Sequence, residues 1–154
     1  LNARGYLFDA NAWVALALGH HLFHAQAAAL FAAATADQKV YFCSATRISV
    51  ARLLTTEAVF RPAGLSPLTN HQALALVDAW MACPVVGVVH EAPGVWDKWR
   101  GFADLNTSSP KRWMDAYLAA LAIEADLQLV TSDGAFKSYP GVDAVVFEET
   151  PAVP

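Results

Sequence analysis

Gly-Tyr-Leu-Phe-Asp at 5–9 is a short apolar run that stops on a carboxylate, and Leu-Gln-Leu-Val-Thr-Ser-Asp at 127–133 repeats the arrangement near the other end of the chain. Each run is too short for a helix, and Gly5 to Phe8 lacks the alternation of a half-exposed strand. Both read as strands of a parallel sheet, the first of them buried on both faces. Leu127 to Val130 is the fourth strand in this reading, and Gly5 to Phe8 the first.

Strands and helices alternate between these two anchors. Asn11 to Leu18 is a first helix interrupted at Gly19, and about Leu22 to Ala36 a second, with Phe23, Ala27, Leu30 and Phe31 on one face. Lys39 to Cys43 is a second strand, and Ser44 or Thr46 caps a helix through Leu54. Arg61 to Pro67 is a loop; Thr69 caps a helix that turns Ala73, Leu76, Val77 and Trp80 inward and stops at Cys83-Pro84. Val85 to Val89 is a third strand, and Trp96, Trp99 and Phe102 form one buried aromatic edge of the next helix. After a polar loop at Asn106 to Pro110, Trp113 to Ala125 is apolar nearly all round and belongs at the centre. Val142 to Phe147 is the last strand. The alternation implies an α/β sandwich around a mostly parallel sheet.

With 154 residues, 56% of them apolar and 16% charged, the chain suits one domain with a proper core and excludes disorder. So little charge implies that a partner or a second copy covers some apolar surface. A net charge of −4 gives no global attraction for nucleic acid, so a polyanion would need local cations. Cys43 and Cys83, the only cysteines, make neither a disulfide framework nor a thiolate metal site, which favours a reducing, cytoplasmic setting. No secretory signal precedes the first strand, and no apolar stretch is long enough to span a bilayer.

Asp9, Asp115 and Asp133 carry the chemistry. Taken singly, each is an ordinary helix or turn cap. Together they follow the first strand, open the central helix and follow the fourth strand, positions that converge at the carboxyl edge of an open α/β sheet. Carboxylates crowded there repel unless a cation holds them, and an oxygen-only set suits Mg²⁺, with Mn²⁺ as the alternative. That chemistry points to metal-assisted phosphoester hydrolysis.

Leu-Phe-Asp-Ala-Asn at 7–11, Met-Asp-Ala-Tyr-Leu-Ala-Ala-Leu-Ala at 114–122 and Leu-Val-Thr-Ser-Asp-Gly-Ala-Phe at 129–136 resemble, in order and separation, the PIN-domain ribonucleases, specifically the VapC toxins of toxin–antitoxin pairs. Gly-His-His-Leu-Phe-His-Ala-Gln-Ala at 19–27 and Arg-Leu-Leu-Thr at 52–55 share the likeness, which covers nearly the whole chain, 1–154, as one PIN-like domain. The resemblance implies a three-layer α/β/α sandwich, Mg²⁺-dependent cleavage of RNA, a homodimer and a cognate VapB-like antitoxin. It makes Asp9, Asp115 and Asp133 the metal ligands and catalytic acids, with Asn11 and Thr131 as polar supports. One departure stands out. The family often carries a further acid early in the helix after the second strand, and the nearest alignment puts Arg47 there. Arg47 would compete with a cation or grip an RNA phosphate, which implies one tightly bound metal rather than two. It also admits an alternative: a binding protein of this fold with weakened hydrolysis.

Other residues are read more plainly. His20 and His24 stand one helical turn apart without an evident third ligand, and with His21 are assigned a structural or rim role. Lys111 and Arg112, just before Asp115, are candidate guides for a phosphate backbone. Trp113 is assigned to the core, with base stacking as its other use. A phosphotransfer receiver also gathers aspartates at strand ends, but it needs an acid pair after the first strand and a lysine after the last, and this chain supplies neither.

Overall fold

A computed structural model describes residues 4–151; residues 1–3 and 152–154 of the expected domain lie outside it. Five strands, β1 (Tyr6–Phe8), β2 (Val40–Phe42), β3 (Val86–Val88), β4 (Gln128–Thr131) and β5 (Ala144–Val146), form one sheet in the order β3-β2-β1-β4-β5. Every pairing is parallel, and β1 sits at the centre with Phe8 opposite Val130. The strand order reverses direction around β1, so the ends of β1 and β4 flank the crevice where open α/β sheets place their ligands.

Seven helices cover the two faces: α1 (Ala10–Ala17), α2 (His24–Ala32), α3 (Ser44–Leu54), α4 (Glu57–Phe60), α5 (Asn70–Met81), α6 (Gly94–Ala103) and α7 (Arg112–Glu124). Successive strand residues point to opposite faces. Phe8, Val40, Phe42 and Val130 therefore pack with α1, α3 and α5, while Leu7 and Leu129 pack with α7. This is the three-layer sandwich. Trp13 anchors the first layer, its ring stacked on Phe42 at 3.7 Å with the planes 2° apart. Gly5 and Gly87 permit the Tyr41 ring to cross the sheet, since a Cβ would come within 2.5 and 2.7 Å of it respectively.

Several boundaries differ from expectation. The second helix is shorter, ending at Ala32 rather than Ala36; α4 fills an unassigned stretch, and the 3₁₀ turn Arg61–Ala63 occupies the start of the expected loop. The cap of α3 is Cys43, not Ser44 or Thr46: the Cys43 thiol accepts from the Thr46 amide at 3.5 Å while the Thr46 hydroxyl accepts from the Cys43 amide at 2.9 Å. Thr46 thus closes the capping box from the third helical position. The aromatic edge of α6 is not fully buried, because Trp96 is 52% exposed.

Candidate active site

Asp9 leaves β1 and caps α1. Its backbone amide donates to the Val130 carbonyl at 2.9 Å, so the β1–β4 ladder places it at the sheet's carboxyl edge. Its Oδ1 accepts from the Ala10 amide at 2.6 Å, and its Oδ2 accepts from the Thr131 hydroxyl at 2.9 Å. Thr131, fully buried at the end of β4, also accepts at Oγ1 from the Asp133 amide at 3.0 Å. One hydroxyl therefore ties Asp9 to the segment bearing Asp133. Asp133 in turn uses Oδ1 to cap the 3₁₀ turn Gly134–Ser138 through the Ala135 amide at 2.9 Å. Asp115 enters in the first turn of α7, and the Lys111 ammonium pairs with Asp133 and, at 3.4 Å, with Asp115. Asp9, Thr131, Asp133, Lys111 and Asp115 form one continuous polar chain.

The electrostatics follow from this arrangement. Burial pushes the Asp9 carboxyl above the usual range, and the charges of Asp115 and Asp133 add to the push, against the bonds from Thr131 and Ala10. Burial likewise raises Asp115, with Lys111 opposing. Asp133 is held below the usual range by its hydrogen bond from Lys111, and that same bond raises Lys111. The cluster thus favours added positive charge at Asp9, the acid that Lys111 does not contact.

A cavity of about 290 Å³ opens beside Asp9, walled by Asn11, Thr46, Ser49, Arg52 and Lys111 among others. Asp115 and Asp133 do not line it; Lys111 connects them to it. Here the expectation for Arg47 is corrected. Arg47 lines a separate groove with Ile48, Leu74 and Asp78 between α3 and α5. Residues 46, 49 and 52 share the face of α3 turned to the acids, and 47 is one step of 100° away from it. The basic residue of α3 at the acidic cavity is Arg52, which the sequence reading passed over. Arg112 is also engaged elsewhere: its Nε donates to the Phe102 carbonyl at 2.7 Å, and its guanidinium lies 4.2 Å from the Tyr139 ring centre. His24 bonds the Ala15 carbonyl at 2.9 Å through Nδ1, and the His21 Nδ1 accepts from the Phe23 amide at 3.1 Å, local roles remote from the acids.

The donor set fits a hard divalent cation in an open site. All its donors are oxygens, and Asp9 is held above the usual range by burial first and by the neighbouring acids second. Among the described residues no three His, Cys, Asp or Glu side chains stand close enough to enclose an ion. One or two carboxylates completed by waters is an arrangement that a hard divalent cation accepts.

Residues 6–142 match the PIN domain family. Ribonuclease VapC41 of Mycobacterium tuberculosis is 40% identical over 138 residues, 89% of this chain and 94% of that protein, in each of two strains. Among solved structures, the sarcin–ricin loop cleaving toxin VapC20 of M. tuberculosis superposes with a TM-score of 0.62 at 20% identity, covering 90% of this chain and 98% of that one. VapBC2 of Rickettsia felis, bound to a DNA fragment from its promoter, gives 0.61 at 14% identity over 93% and 98%. The two structures agree in fold, and the first relative in sequence along nearly its full length: the chain belongs to the PIN-domain family, among the VapC ribonucleases.

Proposed function

We propose that the chain is the toxin of a VapBC-type toxin–antitoxin pair, an endoribonuclease that hydrolyses an RNA phosphodiester with a divalent cation, Mg²⁺ or Mn²⁺, and acts in the cytoplasm as one PIN domain. What supports the reading is the polar chain that runs from Asp9 through Thr131 to Asp133 and through Lys111 to Asp115 at the carboxyl edge of β1 and β4. Asp9, with Asp115 and Asp133 beside it, would hold the cation. When bound, the cation supplies Lewis acidity toward the phosphate oxygens and a water nucleophile. Thr131 holds the Asp9 carboxylate in one orientation, and Asn11 lines the same cavity. Lys111 screens the acids from one another, and Arg52 offers a guanidinium to the phosphate from α3.

A VapB-like antitoxin is the natural partner, its basic side chain competing for the acids. Homodimer formation would cover the exposed Ile48 and Leu74 on the face bearing Arg47. No helix among the described residues is long and apolar enough to cross a membrane. The weakened-hydrolysis alternative keeps one supporting observation: α3 presents Thr46, Ser49 and Arg52 to the cavity, with no acid. RNA cleavage by purified protein, abolished by chelation and by Asp9→Asn with the fold intact, is the expected result. Undiminished cleavage by Asp9→Asn would overturn the assignment.

A further inference from the structure

Next to the acidic cavity lies a second, apolar one of about 440 Å³, between the start of α3 and the helices α6 and α7. Trp96, Trp99, Trp113, Met114 and Tyr117 form its walls, and Glu91 is its one charged residue. The indoles make a connected series: Trp96 to Trp99 and Trp99 to Trp113 each have ring centres 5.6 Å apart. Trp113, expected in the core, is 57% exposed. It also walls a neighbouring cavity with Arg100, Thr107 and Ser109, so its ring is open to a ligand on more than one side. The strip is built rather than loose. The Trp99 indole N–H donates to the Trp113 carbonyl at 3.0 Å, and the Tyr117 hydroxyl donates to Glu91 Oε1 at 2.6 Å. That bond, with one from its own backbone amide, holds the Glu91 carboxyl below its usual range, so it stands ionised at the mouth of the slot as an acceptor.

Resting on the ribonuclease reading, we infer that this slot binds a nucleobase of the RNA beside the scissile phosphate, one carrying an exocyclic amino group. Three features select that occupant. Met114 lines both this slot and the cavity of Asp9, so a nucleotide whose phosphate lies at the acids has its base within reach of the indoles. Flat aromatic faces bind any base, at about 1–3 kcal/mol each. The polar groups are divided as a nucleotide is: Arg100 and Lys111 at the two flanks suit phosphates, and the Glu91 carboxylate is an acceptor for an amino group. Adenine, guanine and cytosine offer that donor; uracil does not.

The test uses Asp9→Asn protein, so that the strand stays whole, and two probes: a single-stranded oligouridylate, and the same strand with one uridine replaced by the fluorescent amino base 2-aminopurine. The substituted strand should bind several-fold more tightly, with its fluorescence quenched by stacking. Trp113→Ala should weaken it about tenfold, or about 1.4 kcal/mol, and abolish the quench. The Trp99 bond goes to the backbone of residue 113 and survives this change. Glu91→Leu should keep the quench and lose the preference for the substituted strand. Equal, unquenched binding of both strands overturns the slot while leaving the nuclease reading to the chelation experiment. Failure to bind either strand likewise overturns the slot, the nuclease reading again resting on the chelation experiment. A Trp113→Ala protein that binds RNA normally but changes from dimer to monomer, or loses only its antitoxin, assigns the strip to a protein partner and overturns the inference.

Discussion

Thr131→Val removes one oxygen and disturbs two carboxylates. The hydroxyl is fully buried, donates to Asp9 Oδ2 and accepts from the Asp133 amide. Valine fills the space but leaves that amide and one carboxylate oxygen without their partner. A hydrogen bond to a charged group is worth about 1.5–3 kcal/mol, and a stranded donor costs about 1–3 kcal/mol. Asp9 and Asp133 are only partly buried and recover part of this from water. We therefore expect about 2–3 kcal/mol of lost stability, set mainly by the charge-assisted bond, which for a chain of this size lowers the melting temperature by roughly 4–12 °C. The pH dependence has a definite sign. The lost bond favours ionised Asp9, whose carboxyl already lies above its unfolded value. The folded state therefore bears a cost that grows as pH rises from the unfolded value through the folded one and is absent below both. The valine variant raises that carboxyl further, so its deficit is full at neutral pH and shrinks as the solution is acidified. Urea melts of chelator-treated protein at several pH values, with Mn²⁺ calorimetry, measure both effects. Cation affinity should fall about 10–100-fold, as it does when a ligand loses its supporting hydrogen bond. Thr131→Ser should recover most of each loss. A valine variant within about 0.5 kcal/mol of the parent and with unchanged Mn²⁺ affinity refutes the positioning role.

Two further predictions separate neighbouring cations. Arg52→Ala should reduce kcat/KM on RNA by about 10–100-fold, the loss of one charge-assisted phosphate contact, while Arg47→Ala stays within about twofold because that side chain lies in the other groove; the reverse order would restore the expectation from alignment. Lys111→Ala should tighten Mn²⁺ binding about two- to tenfold by removing an exposed competitor whose pairs are each worth at most about 1 kcal/mol, and should lower cleavage; weaker Mn²⁺ binding would mean that Lys111 organises the acids for the ion.

The central strands were legible because burial leaves short runs dominated by apolar residues, with Asp9 directly after the first and a single residue between the end of the fourth and Asp133. Thr69 was legible as a cap because its box with Gln72 uses a common residue pair at the usual spacing. Cys43 was not, since a thiol is a weak acceptor and gains the role only through Thr46. Arg47 was misplaced by alignment without a helical frame. Thr46, Val50 and Leu54, buried at intervals of four, mark the inward stripe of α3, and that stripe excludes Arg47. The Lys111–Asp115 pair was available from its i, i+4 spacing, whereas the Lys111–Asp133 contact joins the start of α7 to the end of β4 and exists only in the tertiary fold. Trp113 looked like core by composition; only its place at the edge of α7 turns it outward.

The bond between Thr131 and Asp9 spans 122 positions of sequence. Because β1 pairs with β4 on one side and β2 on the other, nothing emerging before β4 can complete the cluster. On the proposed site, a half-made polypeptide leaving the ribosome would be chemically inert, and the enzyme would come into being only once the C-terminal segment carrying β4 has docked. An antitoxin already waiting in solution would then meet a hazard that appears all at once rather than by degrees.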